Sequence, residues 1–221
     1  MPRSFLLFLS LQSCHPAILL FCLLVFLSSC PLAAQSKFKA GLLAGFTATQ
    51  YDGDSHAGYN KLGLLGGVFS RIPINERWKF QFAITYFQKG ARKYPNPEKG
   101  DFSQYELNLD YAEVPVLFLV KYKKIVIEGG LAIGFLVAEK EVVNEIDITG
   151  LRPFGATDFS FNLGLTYRIN DSWEINSRYN YSILPVRPHP SGSVHRWNRG
   201  EYNNCLSFEL RYIFGQKEKV Q

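Results

Sequence analysis

The residues with the clearest chemical reactivity lie in one polar segment near the C-terminus of the 221-residue chain. This segment, residues 185–200, contains three prolines and four side chains that could supply a nucleophile and a base: His189, Ser191, Ser193 and His195. A histidine beside a serine can activate the hydroxyl for acyl transfer or deacylation. The sequence identifies no third group that would orient the base, and both residue types are common in polar loops. We therefore predict no catalytic residue and no enzymatic activity.

Metal and thiol chemistry have even less support. His56, His189 and His195 could bind a metal ion only if their loops converge, and no C-x-x-C spacing is present. Of the four cysteines, only Cys205 follows the leader described next. It falls on the polar side of a predicted strand, where we expect a small interior side chain. The sequence therefore predicts no metal, no cofactor and no internal disulfide.

Residues 1–34 resemble a secretory signal peptide. They begin with Arg3, carry an apolar core at residues 17–27 and end in small residues. The apolar run is too short to span a membrane. Cleavage after Ala34 is the favoured interpretation; the alternative is a lipobox at residues 27–30 that would make Cys30 a lipidated first residue.

The remainder of the chain alternates between apolar and polar residues, which indicates strands. The clearest example is residues 202–214, where every even position from Leu206 to Phe214 is apolar or aromatic and Glu209 and Arg211 occupy odd positions. Comparable runs begin near Lys37, Tyr59, Trp78, Leu107, Ile125, Phe159, Trp173 and Tyr202. We predict an all-β fold, an eight-stranded antiparallel up-and-down transmembrane β-barrel over residues 35–214 with a short polar tail at 215–221.

Connection lengths give the orientation. Connections after the second, fourth and sixth strands are short, and the other connections are longer and more polar. Outer membrane barrels have short periplasmic turns and longer external loops, so both termini are predicted to be periplasmic. Trp78 and Trp173 would form an aromatic girdle at the short-turn end. A second girdle is expected at the long-loop end: Tyr51, Tyr59, Tyr86, Tyr105 and Tyr202.

The fourth strand is less regular. Its apolar positions Leu107, Leu109 and Tyr111 are predicted to face outward with the other apolar residues. The alternation then slips at residues 113–115, and a continuous apolar run follows. Because Pro115 cannot donate a hydrogen bond, we expect a β-bulge here.

Alternation alone does not show which face is enclosed. In a lipocalin-like soluble barrel, the apolar face would surround a small ligand. Bulky aromatics on consecutive strands, opposite a face rich in small residues, favour lipid outside and a narrow polar interior. The predicted interior charges are Lys79, Arg168, Arg178, Arg211, Glu128, Glu174 and Glu209, and buried charges need partners. We expect a plug of paired side chains and no open pore; a proton or solute relay through Glu128, Glu174 and Arg178 is the alternative.

With the strands placed, residues 37–214 resemble the PorT-like outer membrane β-barrel family of Bacteroidetes-type bacteria. The resemblance rests on three segments: AGLLAGF at 40–46, YFQKGA at 86–91 and LDYAEVPVL at 109–117. The last, a Tyr–Glu–Pro pattern that enters an apolar run, is the most specific. The resemblance implies an outer membrane location and an eight-stranded barrel. The member that gives the family its name is tied to secretion and gliding machinery, but no motif here carries that role.

The net charge of +5 is too small to indicate nucleic acid, and no basic cluster interleaved with aromatics is present. We expect a structural or interaction role in adhesion, assembly or the envelope through the external loops. Expected partners are outer membrane lipid and lipopolysaccharide, the barrel-assembly machinery, and an extracellular or periplasmic protein. The alternatives are a lipid A-modifying enzyme using the His189–His195 loop, a lipocalin-like binder, and a secretion accessory.

Overall fold

Eight long antiparallel strands close on themselves in the computed structural model of the protein, which describes residues 38–53, 58–188 and 200–215. The strands are β1 (Lys39–Asp52), β2 (Lys61–Pro73), β3 (Trp78–Lys93), β4 (Tyr105–Tyr122), β5 (Ile125–Val143), β6 (Thr157–Arg168), β7 (Trp173–Ser182) and β8 (Gly200–Ile213). Each strand pairs with the next, and β1 also pairs with β8 from Gly41↔Ile213 to Asp52↔Tyr202. The predicted eight-stranded β-barrel is confirmed.

Short and long connections alternate as predicted. The short turns are residues 74–77, 123–124 and 169–172. Two of them have the same hydrogen bond from backbone to side chain. Asn75 Oδ1 accepts a hydrogen bond from the backbone N–H of Trp78 at 2.8 Å, and Asn170 Oδ1 accepts one from the backbone N–H of Trp173 at 2.7 Å. The longer connections contain a 3₁₀ turn at Pro97–Lys99 and two-residue strands at Ile146–Asp147 and Arg187–Pro188, which pair with β5 and β8.

The apolar face of the barrel points outward. Exposed side chains form a continuous apolar band, among them Phe46, Leu64, Phe82, Ile84, Leu131, Phe161, Leu163, Ile175, Phe208 and Leu210. The opposite parity is buried, so the lipocalin-like arrangement is excluded by the direction of the side chains. Among the described residues, no helix has the length and hydropathy needed to cross a membrane.

The prediction for β4 is wrong in two respects. Leu107, Leu109 and Tyr111 face inward and are fully buried. The alternation does not slip at Pro115, because β4 keeps the same register with β3 on both sides of it, at Phe82↔Val116 and Thr85↔Glu113. Pro115 interrupts the pairing between β3 and β4 locally, but no extra residue is inserted into β4. The irregularity is on β5 instead, where Asp110 pairs with Ala138 and Tyr111 pairs with Leu136.

Apolar residues of β4 face inward at this end because the strand is longer than the apolar band. β3, β4 and β5 continue past the apolar band at the long-loop end, and we call their last segments (88–93, 105–110 and 138–143) the outer extension. Its outward residues on β4 are polar: Glu106, Asn108 and Asp110. On the inner side of β4, Tyr105, Leu107 and Leu109 belong to an apolar cluster whose other members are Tyr51, Ala91, Tyr111, Phe154 and Val186. Tyr51 and Tyr105, predicted in the outer girdle, are therefore inside the mouth.

Candidate functional site

The residues that suggested catalysis or metal binding lie outside the described part of the chain. These are His56, His189, Ser191, Ser193 and His195; Cys30 and the proposed leader also lie outside it. Within the described ranges, no group of three His, Cys, Asp or Glu side chains is placed to hold a metal ion. The chemically notable described residues are instead the buried charges inside the barrel.

The first buried layer lies toward the short-turn end, and we call it the Arg211 layer: Arg71, Arg178, Arg211, Glu128, Glu174 and Glu209. Arg211 Nη1 contacts Glu128 Oε2 at 2.8 Å, and its Nη2 contacts Glu209 Oε2 at 2.7 Å. Arg178 Nε contacts Glu128 Oε1 at 2.8 Å and its Nη1 contacts Glu209 Oε1 at 3.2 Å. All these side chains are almost completely buried. Apart from Arg71, these residues were predicted to be paired interior charges, and each of them makes an ion pair.

Arg71 completes this layer, although the sequence prediction omitted it. Arg71 Nη1 contacts Glu174 Oε2 at 2.8 Å, and its Nε donates to Gln81 Oε1 at 2.7 Å. Alternation on β2 could have identified it, because Arg71 has the opposite parity to the outward residues Val68 and Ile72. The layer therefore contains three arginines and three glutamates, and its formal charges balance.

A second layer, the Lys89 layer, lies nearer the long-loop end and was also missed. Lys89 Nζ contacts Glu113 Oε2 at 3.0 Å and Asp158 Oδ2 at 2.9 Å, and it donates to Asn180 Oδ1 at 3.0 Å. Asn180 Nδ2 in turn donates to Glu113 Oε1 at 3.0 Å. The alternation of β3 places Lys89 inside, but only the three-dimensional register shows that β4 and β6 bring carboxylates to it.

Above this layer, an arginine from the last long loop closes over the apolar cluster. Arg187 Nη1 contacts Glu141 Oε2 at 2.8 Å, and its Nε contacts Glu201 Oε2 at 2.5 Å. Its guanidinium carbon lies 4.1 Å from the centre of the Phe154 ring. Burial opposes the charge of Arg187, but hydrogen bonds to Glu141 and Glu201 outweigh it and raise the pKa of this group. The contacts attach the start of this loop to β5 and β8.

Cys205 lies inside the barrel, as predicted, and is completely buried. Thiol reagents react with the accessible thiolate. We therefore expect the folded protein in detergent to resist labelling at Cys205 by a polar maleimide, whereas the boiled protein should be labelled. A gel-shift assay with a maleimide polymer measures both states, and a Phe102→Cys variant in a Cys205→Ser background supplies the accessible control. Rapid labelling of Cys205 in the folded band would contradict the buried placement.

The external connections present exposed apolar side chains beyond the barrel. Phe102 is 73% exposed and Leu151 is 76% exposed, and Tyr94 and Ile146 are also exposed. The β3–β4 connection is fixed locally, because Lys93 Nζ contacts Asp101 Oδ2 at 2.7 Å and Ser103 Oγ donates to Asp101 Oδ1. Hydrogen bonds from Lys93 and Ser103 lower the pKa of Asp101. Tyr94 and Phe102 are therefore displayed on a connection with internal structure.

The family comparison covers most of the barrel. The model of a family described as outer membrane protein beta-barrel domain matches residues 33–186. This range extends from before β1 to the beginning of the last long connection. No curated protein sequence matches the chain.

Several solved structures are similar in fold. The attachment invasion locus protein Ail of Yersinia pestis is 12% identical, with a TM-score of 0.47 over 80% of this chain and 99% of that chain. Neisserial surface protein A is 13% identical, with a TM-score of 0.48 over 78% and 96% of the two chains. CarO of Acinetobacter baumannii is 9% identical, with a TM-score of 0.41 over 79% and 97%. At these identities and scores, the likeness carries no information about function.

Proposed function

We propose a structural or interaction role at the cell surface for this chain, which belongs to the outer membrane protein β-barrel domain family. The observation that carries the proposal is the content of the barrel: the Arg211 layer, the Lys89 layer and the apolar cluster occupy successive levels of the interior. A barrel filled in this way leaves the external connections as the surface available to a partner. The role falls within adhesion, assembly or stabilisation of the envelope.

We propose further that the barrel has no open pore. An ion that crossed the Arg211 layer would have to break arginine–glutamate contacts of 2.7 to 3.2 Å between side chains that are almost completely buried. Removing one partner from a buried ion pair destabilises a protein by about 3–5 kcal/mol. A proton or solute relay through Glu128, Glu174 and Arg178 is disfavoured for the same reason, since each group is held by more than one partner.

The absence of an enzymatic function is also part of the proposal. The buried titratable groups described above are paired with one another, and Cys205 is inaccessible. The competing hypothesis, a lipid A-modifying enzyme, depends on His189 and Ser191. Replacing either residue should leave the lipid A of the host unchanged, as judged by mass spectrometry; a lost acyl modification would support the enzyme instead.

The proposal also includes the export of the chain and its orientation in the membrane. The leader at residues 1–34 would direct export, and the barrel-assembly machinery would insert the mature chain with both termini in the periplasm. Support comes from the alternation of loop length, since all three short turns lie at the end where β1 begins and β8 finishes.

A PorT-like kinship within the family, in Bacteroidetes-type bacteria, remains a proposal. Its three supporting segments, 40–46, 86–91 and 109–117, all lie in the range matched by the family model. The most specific of them places Glu113 against Lys89, an interior contact. The shared pattern thus supports a common barrel interior rather than a common secretion role.

The closed interior predicts an electrical result. Purified protein in a planar lipid bilayer is expected to give no step-like conductance, because paired charges and apolar side chains occupy the lumen. The measurement is single-channel recording at several voltages, with a general porin as the positive control. A heat-shifted gel band must first establish that the inserted protein is folded. Reproducible conductance steps from the folded wild type would overturn the closed-barrel proposal.

The interaction role is tested by exchanging external residues without disturbing the barrel. A Phe102→Ser, Leu151→Ser variant should keep outer membrane recovery and the heat-shifted band, yet reproduce the envelope or adhesion defect of a deletion strain. Tyr122→Ser, at the short-turn end and also exposed, is the matched control. Wild-type behaviour of the external variant together with a defect in the control would place the interacting surface on the periplasmic side.

A further inference from the structure

Tyrosines gather on the outer surface of the barrel where β7, β8 and β1 adjoin. Tyr179, Tyr181 and Tyr202 form a ladder in which neighbouring rings are 6.2 and 6.1 Å apart between centroids and only 19° and 9° apart in plane. Tyr59 joins them from the β1–β2 connection. With Asp52 and Asn204, described next, we call this set the tyrosine patch. Its rings are nearly parallel, so their faces point in similar directions.

A carboxylate and two carboxamides border the rings. Asp52 Oδ1 accepts from Gln50 Nε2 at 2.8 Å, and Asp52 Oδ2 accepts from Asn204 Nδ2 at 3.0 Å. The Tyr59 hydroxyl donates to Asn204 Oδ1 at 2.7 Å. Among the described residues, no lysine or arginine makes an ion pair with Asp52. The patch therefore combines aromatic faces with a carboxylate that accepts hydrogen bonds and, among the described residues, makes no ion pair.

The position of the patch relates it to the outer leaflet. Tyr179 pairs across strands with Leu206 on β8 and Leu163 on β6, both outward residues of the apolar band. Asp52 is the last residue of β1 and pairs with Tyr202. One end of the patch is thus at the level of lipid chains, and the other end is at the level of lipid headgroups.

We infer that the tyrosine patch binds a neutral sugar of the headgroup of an outer-leaflet glycolipid. The C–H groups of a pyranose carry partial positive charge and suit the negative face of an aromatic ring, while Asp52 and Asn204 match sugar hydroxyls. The negative charge of Asp52 disfavours a phosphate. Continuity with Leu163 and Leu206 favours a sugar that is attached to acyl chains over a soluble glycan. Anchoring at the interface alone needs amphipathic rings, but it does not need the carboxylate and carboxamide beside them.

This inference goes beyond the proposed role of the external loops and depends only on the outer membrane location. The test uses the full chain in dodecylphosphocholine micelles doped with dodecyl maltoside, a neutral sugar on an alkyl chain. Saturation transfer from tyrosine ring protons to the sugar protons reports contact. Tyr181→Ser and Asp52→Ala should each reduce the transfer about fivefold, the effect that a loss of ~1 kcal/mol implies. Tyr181→Phe should retain most of it.

Tyr212→Ser is the matched control, because Tyr212 is an outward tyrosine at the opposite end of β8, beside Trp173. This control should leave the transfer unchanged, and a heat-shifted band shows that each variant is folded. Two results would overturn the inference. Equal losses in Tyr181→Ser and Tyr212→Ser, with no effect of Asp52→Ala, would identify an ordinary aromatic girdle. Transfer to free maltose as strong as that to dodecyl maltoside would assign the patch to a soluble glycan.

Discussion

Replacing Gly45 by valine is expected to prevent the barrel from closing. Gly45 faces inward on β1, and a Cβ added there would lie 1.9 Å from the backbone oxygen of Phe208 and 2.9 Å from Glu209 Cα on β8. A backbone atom of the neighbouring strand cannot rotate away as a flexible side chain can. The substitution therefore separates the two strands whose pairing completes the barrel. We expect the heat-shifted folded band to be nearly absent after refolding into lipid vesicles.

Gly66 provides a control with the same chemistry on the other face. It is an outward residue of β2, and among the described residues the one atom within 4 Å of an added Cβ is Leu43 O, at 3.8 Å. Gly66→Val should therefore refold to nearly the wild-type fraction under the same conditions. Comparable folding of the Gly45 and Gly66 variants would show that the close approach at the β1–β8 seam does not limit closure.

Replacing Arg211 by methionine is expected to produce the second large effect, this time on stability. Arg211 is completely buried and contacts both Glu128 and Glu209 at 2.7 to 2.8 Å. Methionine fills similar space but leaves two buried carboxylates with Arg178 as their remaining arginine. Removing one partner of a buried ion pair costs about 3–5 kcal/mol. The measurement is urea unfolding in vesicles, followed by tryptophan fluorescence.

Arg168→Met is the matched control at the rim of the same barrel. Arg168 is partly exposed and contacts Asp171, which is itself exposed, at 3.0 Å. Its longer contact with buried Glu174, at 3.6 Å, can be lost while Glu174 keeps its 2.8 Å contact with Arg71. An ion pair of this kind contributes about 0–1 kcal/mol. Adding Glu128→Gln to the Arg211 variant should recover part of the loss, since it removes one of the unmatched charges. Equal stability of the Arg211 and Arg168 variants would refute a special contribution from the buried layer.

The number of strands and most of their faces were predictable because one rule holds along each membrane-facing segment. Where lipid lies outside and polar groups lie inside, parity alone identifies Phe46, Phe82 and Leu163 as outward residues. The same rule fails at Leu107 and Leu109, because β4 leaves the apolar band there and meets water on its outer side. The hydropathy pattern shows that apolar and polar residues alternate, but it does not show whether lipid or water lies outside the strand. The exchange of the inward and outward faces at this point of β4 could therefore not be predicted.

The interior charges were only partly predictable for a different reason. Parity places Glu128, Arg178 and Arg211 inside, but their pairing depends on the register of β5, β7 and β8, which short-range patterns do not determine. The alternation of β3 is enough to place Lys89 inside, but its acidic partners come from β4 and β6. Tyr59 and Tyr202 of the tyrosine patch were predicted only as girdle residues, because the polar border of the patch, Asp52 and Asn204, comes from two strands at opposite ends of the chain.

Because of the outer extension, the side-chain pattern of one strand changes between the part that contacts lipid and the part that extends beyond it. Below Tyr111 the outward side chains of β4 are apolar, as contact with lipid requires. Above Tyr111 the same strand has polar Asn108 and Asp110 outside and apolar Leu107 and Leu109 inside, as contact with water requires. Because side chains alternate with a period of two, the β3–β4 hairpin can be lengthened in pairs of residues without changing which face any other residue occupies. An insertion of a single residue would reverse the faces above it. External loops on such a hairpin can therefore change in height above the membrane through even-numbered steps, while the membrane-spanning part of the barrel stays as it is.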